Sequence, residues 1–210
     1  MSDGGRIAQA TLEHLLLTGV SVVLATIVGV ALGIYVARFR RLAGPVLAFV
    51  GLLQTIPSLA LLGALVPLLG VGVKPALVAL FLYALLPIVR NTYVGIDGVQ
   101  PRAIDAARGM GMTEGEILRL VALPQAVPVI MGGVRTATVI GVGVATLAGF
   151  VGAGGLGDLI NQGLAMVDWG RIAMGAVPAA ALALVLDGLL AVGERRLVPK
   201  GMRVAARRAR

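Results

Sequence analysis

The sequence contains no cysteine, few aromatic residues and little charge. Without cysteine, disulfide bonds and thiolate metal sites are excluded. Charged residues make up 13% of the 210 residues, whereas a soluble globular chain carries about 25%. That shortage leaves too little polar surface to keep a compact monomer in water. The composition therefore excludes a water-soluble enzyme, a disordered chain and a disulfide-stabilised scaffold.

The residues needed for common kinds of catalysis are also missing. The sequence has no GxxxxGK[ST] motif and only two lysines, Lys74 and Lys200, so a P-loop for ATP is excluded. His14 is the only histidine, and no cluster with metal-ligand spacing occurs, so no metal or other cofactor is expected in this chain. No nucleophile and base can be assembled in the apolar segments. An enzyme is therefore not expected.

Long apolar runs dominate what is present. Three runs lack Asp, Glu, Lys and Arg, namely residues 15–37, 42–73 and 136–157. Because a helix needs about 20 mostly apolar residues to cross a bilayer, these runs predict membrane-spanning helices. The sequence predicts an all-α polytopic bundle, a single transmembrane domain over residues 1–210, with spans at about 15–37, 45–69, 76–96, 126–149 and 171–192.

The positions of the basic residues predict how the bundle sits in the membrane. With the N-terminus outside, fourteen of the eighteen Lys and Arg residues fall on the inner side. Only Arg6, Lys74 and Arg171 fall on the outer side. Since basic residues accumulate on the cytoplasmic side, we expect a multi-pass protein of the cytoplasmic membrane with its C-terminus inside. The basic tail after Glu194 is interpreted as an anchor beside anionic lipid and not as a nucleic-acid site.

One sizeable internal loop, residues 97–125, is the most polar part of the chain's interior. Ile104 to Arg108 can form a helix that Gly109 and Gly111 end. Thr113 with Glu116 three residues later is typical of a capping box, which begins a second helix. Pro124 is expected to stop that helix before the fourth span. The loop is thus predicted to be a rigid helix–turn–helix element suited to docking against another protein.

Polar and small residues inside the spans suggest where helices meet or a pathway runs. Gln54, Thr55, Pro57 and Ser58 combine a probable kink with polar side chains near the middle of the second span. They predict a lined translocation pathway, with polar bridges between helices as an equally weighted alternative. Gly29 and Gly33 form a small-residue contact motif, which fits packing within one subunit at least as well as a dimer contact.

Arg135 and Asp187 are charged residues inside predicted spans. Arg135 falls about nine residues into the fourth span and Asp187 about six residues from the inner end of the fifth. A charge at such a depth is costly unless it is paired or hydrated. Because their depths match, we expect the two side chains to form a charge pair or to face one hydrated inner vestibule.

The internal loop resembles a known motif. Asp105-Ala106-Ala107, three residues, Gly111, nine residues and Val121-Ala122-Leu123-Pro124 look like the EAA motif of ABC importer permeases. Asp105 and Val121 depart conservatively from the Glu and Ile of that pattern. The resemblance implies a type I ABC importer fold like that of methionine permeases. It assigns ATPase docking to Asp105, Ala106, Ala107, Arg108, Gly109, Met110, Gly111 and Met112, with Met112 filling an apolar recess.

Other stretches narrow the resemblance to osmoprotectant permeases, which import glycine betaine, carnitine, choline or similar quaternary ammonium solutes. They include LYALLPIVRNTY, DAARGMGMTEGEIL and GFVGAGGLGDLI. The resemblance implies three partners besides the lipid bilayer: a cytoplasmic ABC ATPase dimer that holds ATP and Mg²⁺, a second identical or sibling permease subunit, and an external substrate-binding protein.

Two other functions remain open on the sequence. A permease for an amino acid such as methionine fits the GAGGLGDLI stretch almost as well. A pore-forming channel or membrane scaffold belongs to a different class. A channel would not need the glycine-turn loop, and a scaffold would not need a kinked, polar second span.

Overall fold

A computed structural model describes residues 3–197. Most of the basic tail predicted as a lipid anchor lies outside these residues. The described chain is helical, without strands. Its α-helices are α1 Asp3–Arg38, α2 Ala43–Thr55, α3 Ser58–Leu69, α4 Val73–Asp97, α5 Pro101–Gly109, α6 Glu114–Glu116, α7 Leu123–Ala148, α8 Leu156–Met166 and α9 Trp169–Leu197.

Four helical segments of the described chain are long and apolar enough to cross a membrane. They comprise α1, α4, a continuous segment from Glu114 to Val151 that contains α7, and α9. The bent pair formed by α2 and α3 makes a fifth candidate if it counts as one span. The all-helical fold predicted from composition is therefore observed.

The centre of the bundle is α4, which packs between α1 and α7. Small residues permit this close approach. A Cβ added at Gly29 would lie 2.8 Å from the Ile88 side chain, and one added at Gly33 would lie 2.5 Å from Thr92. Both glycines of the first span therefore pack against α4 of the same chain, which favours the first of the two roles considered for that motif.

The second predicted span differs most from expectation. In place of one kinked helix over 45–69, the chain forms α2 and α3, which are bent 91° apart at the break. Ile56 and Pro57 adopt extended backbone angles, with ψ of 125° and 131°. Proline disfavours helical angles in the residue before it and lacks an N–H for the helical ladder, so the helix ends here.

The boundary at Pro124 was predicted wrongly. The helix that begins after Thr113 does not stop there but continues to Val151. A π-helical segment, Ile117–Ala122, directly precedes Leu123 and Pro124. The wider π turn accommodates a proline that would otherwise clash with the carbonyl four residues earlier.

The two ends of the bundle are held by different contacts. At one end, Arg6 donates to Gln162 (3.2 Å) and Glu13 accepts from the Gly155 N–H (2.9 Å), so the start of α1 meets the segment around α8. At the other end, Arg40 lies 2.6 Å from Asp97. The connection between α1 and α2 and the connection after α4 therefore share one end, as the predicted topology requires.

Candidate functional site

The turn that follows α5 is built around Gly111. Its φ of +82° is a left-handed conformation that glycine adopts without steric cost. The Gly111 N–H donates to the Arg108 carbonyl (2.9 Å), and the Met112 N–H donates to the Ala107 carbonyl (3.2 Å). These two bonds form a Schellman motif, which satisfies the last carbonyls of α5. The glycine turn is thus a defined structure rather than a flexible joint.

The second helix of the loop begins at a complete capping box. The Thr113 hydroxyl accepts from the Glu116 N–H (3.4 Å), and the Glu116 carboxylate accepts from the Thr113 N–H (2.8 Å). The Thr113 hydroxyl also lies 2.8 Å from this carboxylate. Bonds from the backbone and side chain of Thr113 lower the pKa of the Glu116 carboxyl below its usual range. This helix start agrees with the spacing predicted from sequence.

A charged brace crosses the turn. Arg108 Nε donates to Glu114 Oε1 (2.9 Å), and the same guanidinium lies 3.8 Å from Asp105. The hydrogen bond from Arg108 lowers the pKa of the Glu114 carboxyl. Since all three side chains are more than half exposed, the brace fixes the geometry of the loop more than it stabilises the fold. Residues 101–122, which form this helix–turn–helix structure, are called the loop element below.

The loop element presents its predicted docking residues unevenly. Ala107 is buried, while the Met110 side chain is 75% exposed. Met112, which was assigned to an apolar recess, is only half-buried. Met110 is therefore the large apolar side chain that stands out from the turn. Exposed apolar side chains on an otherwise polar loop are typical of a binding surface.

A cleft of about 700 Å³ separates the loop element from the ends of α1 and α4. Apolar side chains line much of it, including Ile34, Phe39, Val99, Ile104 and Leu118. The Arg40–Asp97 ion pair lies at its edge and joins the two inter-span connections. The sequence interpretation missed this pair, although opposite charges directly after two neighbouring spans could have indicated it.

Alanine at Thr113 is expected to loosen the start of the second helix in the loop element. Loss of an N-cap side chain costs about 1 kcal/mol, or about fivefold in the local opening equilibrium. Hydrogen exchange at residues 114–117 of the assembled protein should rise by that factor. Glu116→Gln is the matched control because glutamine also completes a capping box.

The same control tests the titration of Glu116. A lowered pKa means that the ionised carboxylate stabilises the helix start above the usual glutamate range, and that this contribution disappears as the pH falls through the lowered pKa. The ratio of the exchange rates of wild type and Glu116→Gln should therefore stay constant from pH 6 to pH 8. A ratio that changed between those two pH values would contradict the assignment.

The predicted pathway residues lie at the break between α2 and α3. Thr55 and Pro57 are exposed, whereas Gln54 and Ser58 are half-buried. The Thr55 hydroxyl donates to the Leu52 carbonyl of its own helix (2.7 Å), so it caps α2 rather than bridging to another helix. Gln54 does bridge, because its Nε2 donates to the Tyr83 carbonyl of α4 (2.8 Å). The segment thus forms a polar bridge through Gln54 and keeps an exposed face at Thr55 and Pro57.

Arg135 on α7 and Asp187 on α9 lie in direct contact. Arg135 Nε and Nη2 donate to the two carboxylate oxygens of Asp187 at 2.8 and 2.9 Å. Such a two-bond fork is the strongest geometry for this kind of pair. The Nη1 atom donates to a third partner, Glu194, at 3.1 Å. Sequence reasoning missed Glu194, although it lies seven residues after Asp187 and therefore on the same helix face.

Within residues 3–197, no group of three or more His, Asp or Glu side chains could hold a metal ion. The predicted functional residues of the described chain lie in three places: the loop element, the break between α2 and α3, and the Arg135 cluster. An extended apolar bundle with one structured polar loop can bind and transmit motion.

Comparison with known proteins decides the family. The family described as "Binding-protein-dependent transport system inner membrane component" matches residues 29–199. The chain belongs to this family. The resemblance to ABC importer permeases found in the sequence is thereby confirmed.

Close relatives of this permease share nearly its whole length. It is 49% identical to the glycine betaine/carnitine/choline transport system permease protein OpuCB of Bacillus subtilis, over 96% of this chain and 93% of the relative. It is equally identical, over the same shares, to the choline transport system permease protein OpuBB of that organism. It is 46% identical to the osmoprotectant import permease protein OsmW of Salmonella typhimurium, over 97% of each chain.

Solved structures agree on the fold. A chain from "Inward facing conformations of the MetNI methionine ABC transporter" matches with a TM-score of 0.78 and 27% identity, over 94% of this chain and 98% of that one. A chain from an amino acid ABC transporter matches with a TM-score of 0.68. Its 20% identity supports the fold alone. The permease therefore has the methionine-permease-like fold that its sequence implied.

Proposed function

We propose that this permease forms the membrane pathway of an ATP-driven importer for quaternary ammonium osmoprotectants such as glycine betaine, choline or carnitine. The observation that supports the cargo is identity of 46–49% along nearly the whole chain to permeases named for these solutes. The methionine transporter chain has a similar fold, with a TM-score of 0.78, but its sequence is only 27% identical. Sequence similarity therefore favours osmoprotectants over an amino acid.

The residues of the chain indicate which steps of transport it would perform and which steps its partners would perform. Its sequence has no P-loop, so ATP and Mg²⁺ would bind a separate ATPase dimer and the permease itself would not be an enzyme. Family membership supports an external binding protein that delivers solute. A quaternary ammonium is typically held by an aromatic cage. With 4% aromatic residues, this chain suits passage of the solute better than its capture.

The loop element would be the contact through which the ATPases move the bundle. Three features support this role: a rigid glycine turn, a capped second helix and the exposed Met110 side chain. The second helix is continuous with the segment that runs to Val151. A push on the loop element would therefore tilt α7 as a lever, converting closure of the ATPases into alternating access.

The break between α2 and α3 would line the pathway, and a second permease subunit would complete it. The break exposes non-helical backbone at Ile56 and Pro57, which is tolerated at membrane depth only against protein or a water-filled cavity. A homodimer or a pair with a sibling permease would supply that protein surface. In this arrangement the N-terminus lies outside and the loop element and C-terminus lie in the cytoplasm, as the basic residues favour.

Reconstituted uptake tests the cargo and the motor together. With its cognate ATPase and binding protein in vesicles, the permease should accumulate glycine betaine or choline only when ATP is present. Methionine should neither accumulate nor compete. Competition by methionine would favour the amino-acid alternative, and solute flux without nucleotide would favour a channel.

A further inference from the structure

Two prolines interrupt neighbouring elements of the bundle at similar places. Pro57 separates α2 from α3, and Pro87 lies inside α4. A proline has no N–H, so Pro87 cannot donate to the carbonyl of Tyr83 four residues earlier. The break at Pro57 likewise leaves the Ile56 carbonyl outside either helix. Each interruption thus frees a carbonyl that needs a partner inside the membrane.

The two freed carbonyls are satisfied reciprocally. The Gln54 side chain, from the end of α2, donates to the Tyr83 carbonyl at 2.8 Å. The Tyr83 hydroxyl, from α4, donates to the Ile56 carbonyl. Each segment therefore supplies the donor that the other has lost. In the described chain, no other side-chain hydrogen bond or ion pair joins α2 or α3 to the rest of the bundle.

The Tyr83 end of this arrangement is rigid. Its side chain is only 7% exposed and packs in a core that includes Leu61, Leu62 and Leu80. Because this packing restricts the ring, the Tyr83 hydroxyl can approach the Ile56 carbonyl from few directions. The Gln54 end lies at the half-buried edge of the break. The two bonds therefore connect the partly exposed break to α4, the centre of the bundle.

We propose that Gln54 and Tyr83 form a latch that sets the angle of the break and thereby positions residues 54–58 for solute. The inference rests on the proposed function, because it takes this segment to line the pathway. Neither residue needs to touch the solute in this role, although Gln54 borders the break. Tyr83 acts as a positioning residue through the Ile56 carbonyl.

The absence of cysteine makes a direct test possible. A single Ser58→Cys substitution gives each permease chain one thiol, placed at the break, and labelling is read on the permease band of the assembled transporter. In that background, Tyr83→Phe removes the latch hydroxyl while keeping the ring, and Gln54→Met removes the donor at similar size. Tyr35→Phe is the matched control, since the Tyr35 ring contacts Phe39 and its hydroxyl makes no hydrogen bond in the described chain.

We expect Tyr83→Phe and Gln54→Met each to change the labelling rate of the thiol about fivefold and to raise the KM for solute by a similar factor. A net hydrogen bond of typical strength corresponds to such a change. The double variant should fall within about twofold of the stronger single variant, because both bonds serve one angle. Tyr35→Phe should match the parent in both measurements.

The outcomes separate the latch from simpler roles and from the proposed function. Unchanged labelling and KM in both latch variants would overturn the latch while leaving the transport function intact. Less assembled protein with unchanged labelling and KM per complex would also overturn it, since that pattern reports stability alone. Labelling needs no solute, so changed labelling in the latch variants, together with no uptake of any quaternary ammonium by the wild-type permease, would support the latch and refute the proposed cargo.

Discussion

Alanine at Gly111 is expected to leave the permease inserted and assembled but to lower transport-coupled ATP hydrolysis about tenfold, and a bulky residue there is expected to abolish it. At a φ of +82°, any other L-residue meets its own backbone, at a cost of about 1–2 kcal/mol. A Cβ at this position would meet nothing else within 4 Å. The penalty therefore falls on the turn and not on the packing of the bundle.

The reason for a large effect is the position of Gly111 between the two helices of the loop element. To relieve the strain, the chain must give up the Schellman bonds to the carbonyls of Arg108 and Ala107. The two helices would then lose their fixed relation, and a push on one would no longer tilt the other. Solute-stimulated ATPase activity of the reconstituted complex measures this transmission.

Gly115→Ala is the matched control for this prediction. Gly115 lies in the same loop element, has helical backbone angles, and has nothing within 4 Å of an added Cβ. Alanine is favoured over glycine in a helix, so coupled hydrolysis should stay near the wild-type level. Normal uptake and hydrolysis in Gly111→Ala and in a bulky variant would show that the glycine turn does not transmit motion.

The loop element could be predicted from sequence because its signals are local. The Thr113–Glu116 capping box and the glycine turn depend on residues at most five positions apart. Spacing of that kind specifies backbone hydrogen bonds directly. The helix end predicted at Pro124 was wrong because a π-helical segment before the proline lets the helix continue through it. Such a segment has no characteristic residue type by which the sequence could reveal it.

The break in the second span could not be predicted because it depends on a distant residue. A proline inside an apolar run produces either a modest kink or a complete break, according to what satisfies the freed carbonyls. Here the Tyr83 hydroxyl, 27 positions away, reaches the Ile56 carbonyl. The position of the helix break can therefore be predicted from the sequence, whereas the 91° angle between α2 and α3 depends on packing against distant residues.

For the charged residues inside the spans, too, the sequence predicted one part of the arrangement and not the other. Their depth alone predicted that Arg135 and Asp187 would need partners. The guanidinium, however, offers more donors than one carboxylate uses, and Nη1 reaches Glu194. One arginine is thus shared by two acids from α9. Because Arg135 makes two bonds to Asp187 and one to Glu194, neutralising each of the three residues should impair transport to a different degree.

Arg135→Gln is expected to lower solute uptake below about a tenth of the wild-type rate, with less assembled transporter. It leaves the Asp187 carboxylate without its cation inside the span, where an unpaired charge is costly, and it also removes a partner of Glu194. Asp187→Asn should be milder, because Arg135 keeps its bond to Glu194. Glu194→Gln should be the mildest, since the two-bond fork to Asp187 remains.

Two further variants decide whether charge or geometry matters. Arg135→Lys keeps the charge but cannot form the fork, so it should restore assembly more than uptake. Combining Arg135→Gln with Asp187→Asn removes the unpaired carboxylate inside the span and should recover assembly relative to Arg135→Gln alone. Uptake per assembled complex and complex yield, measured together, separate the two effects. Full activity and assembly in Arg135→Gln and in Asp187→Asn would mean that α7 and α9 do not depend on this ion cluster.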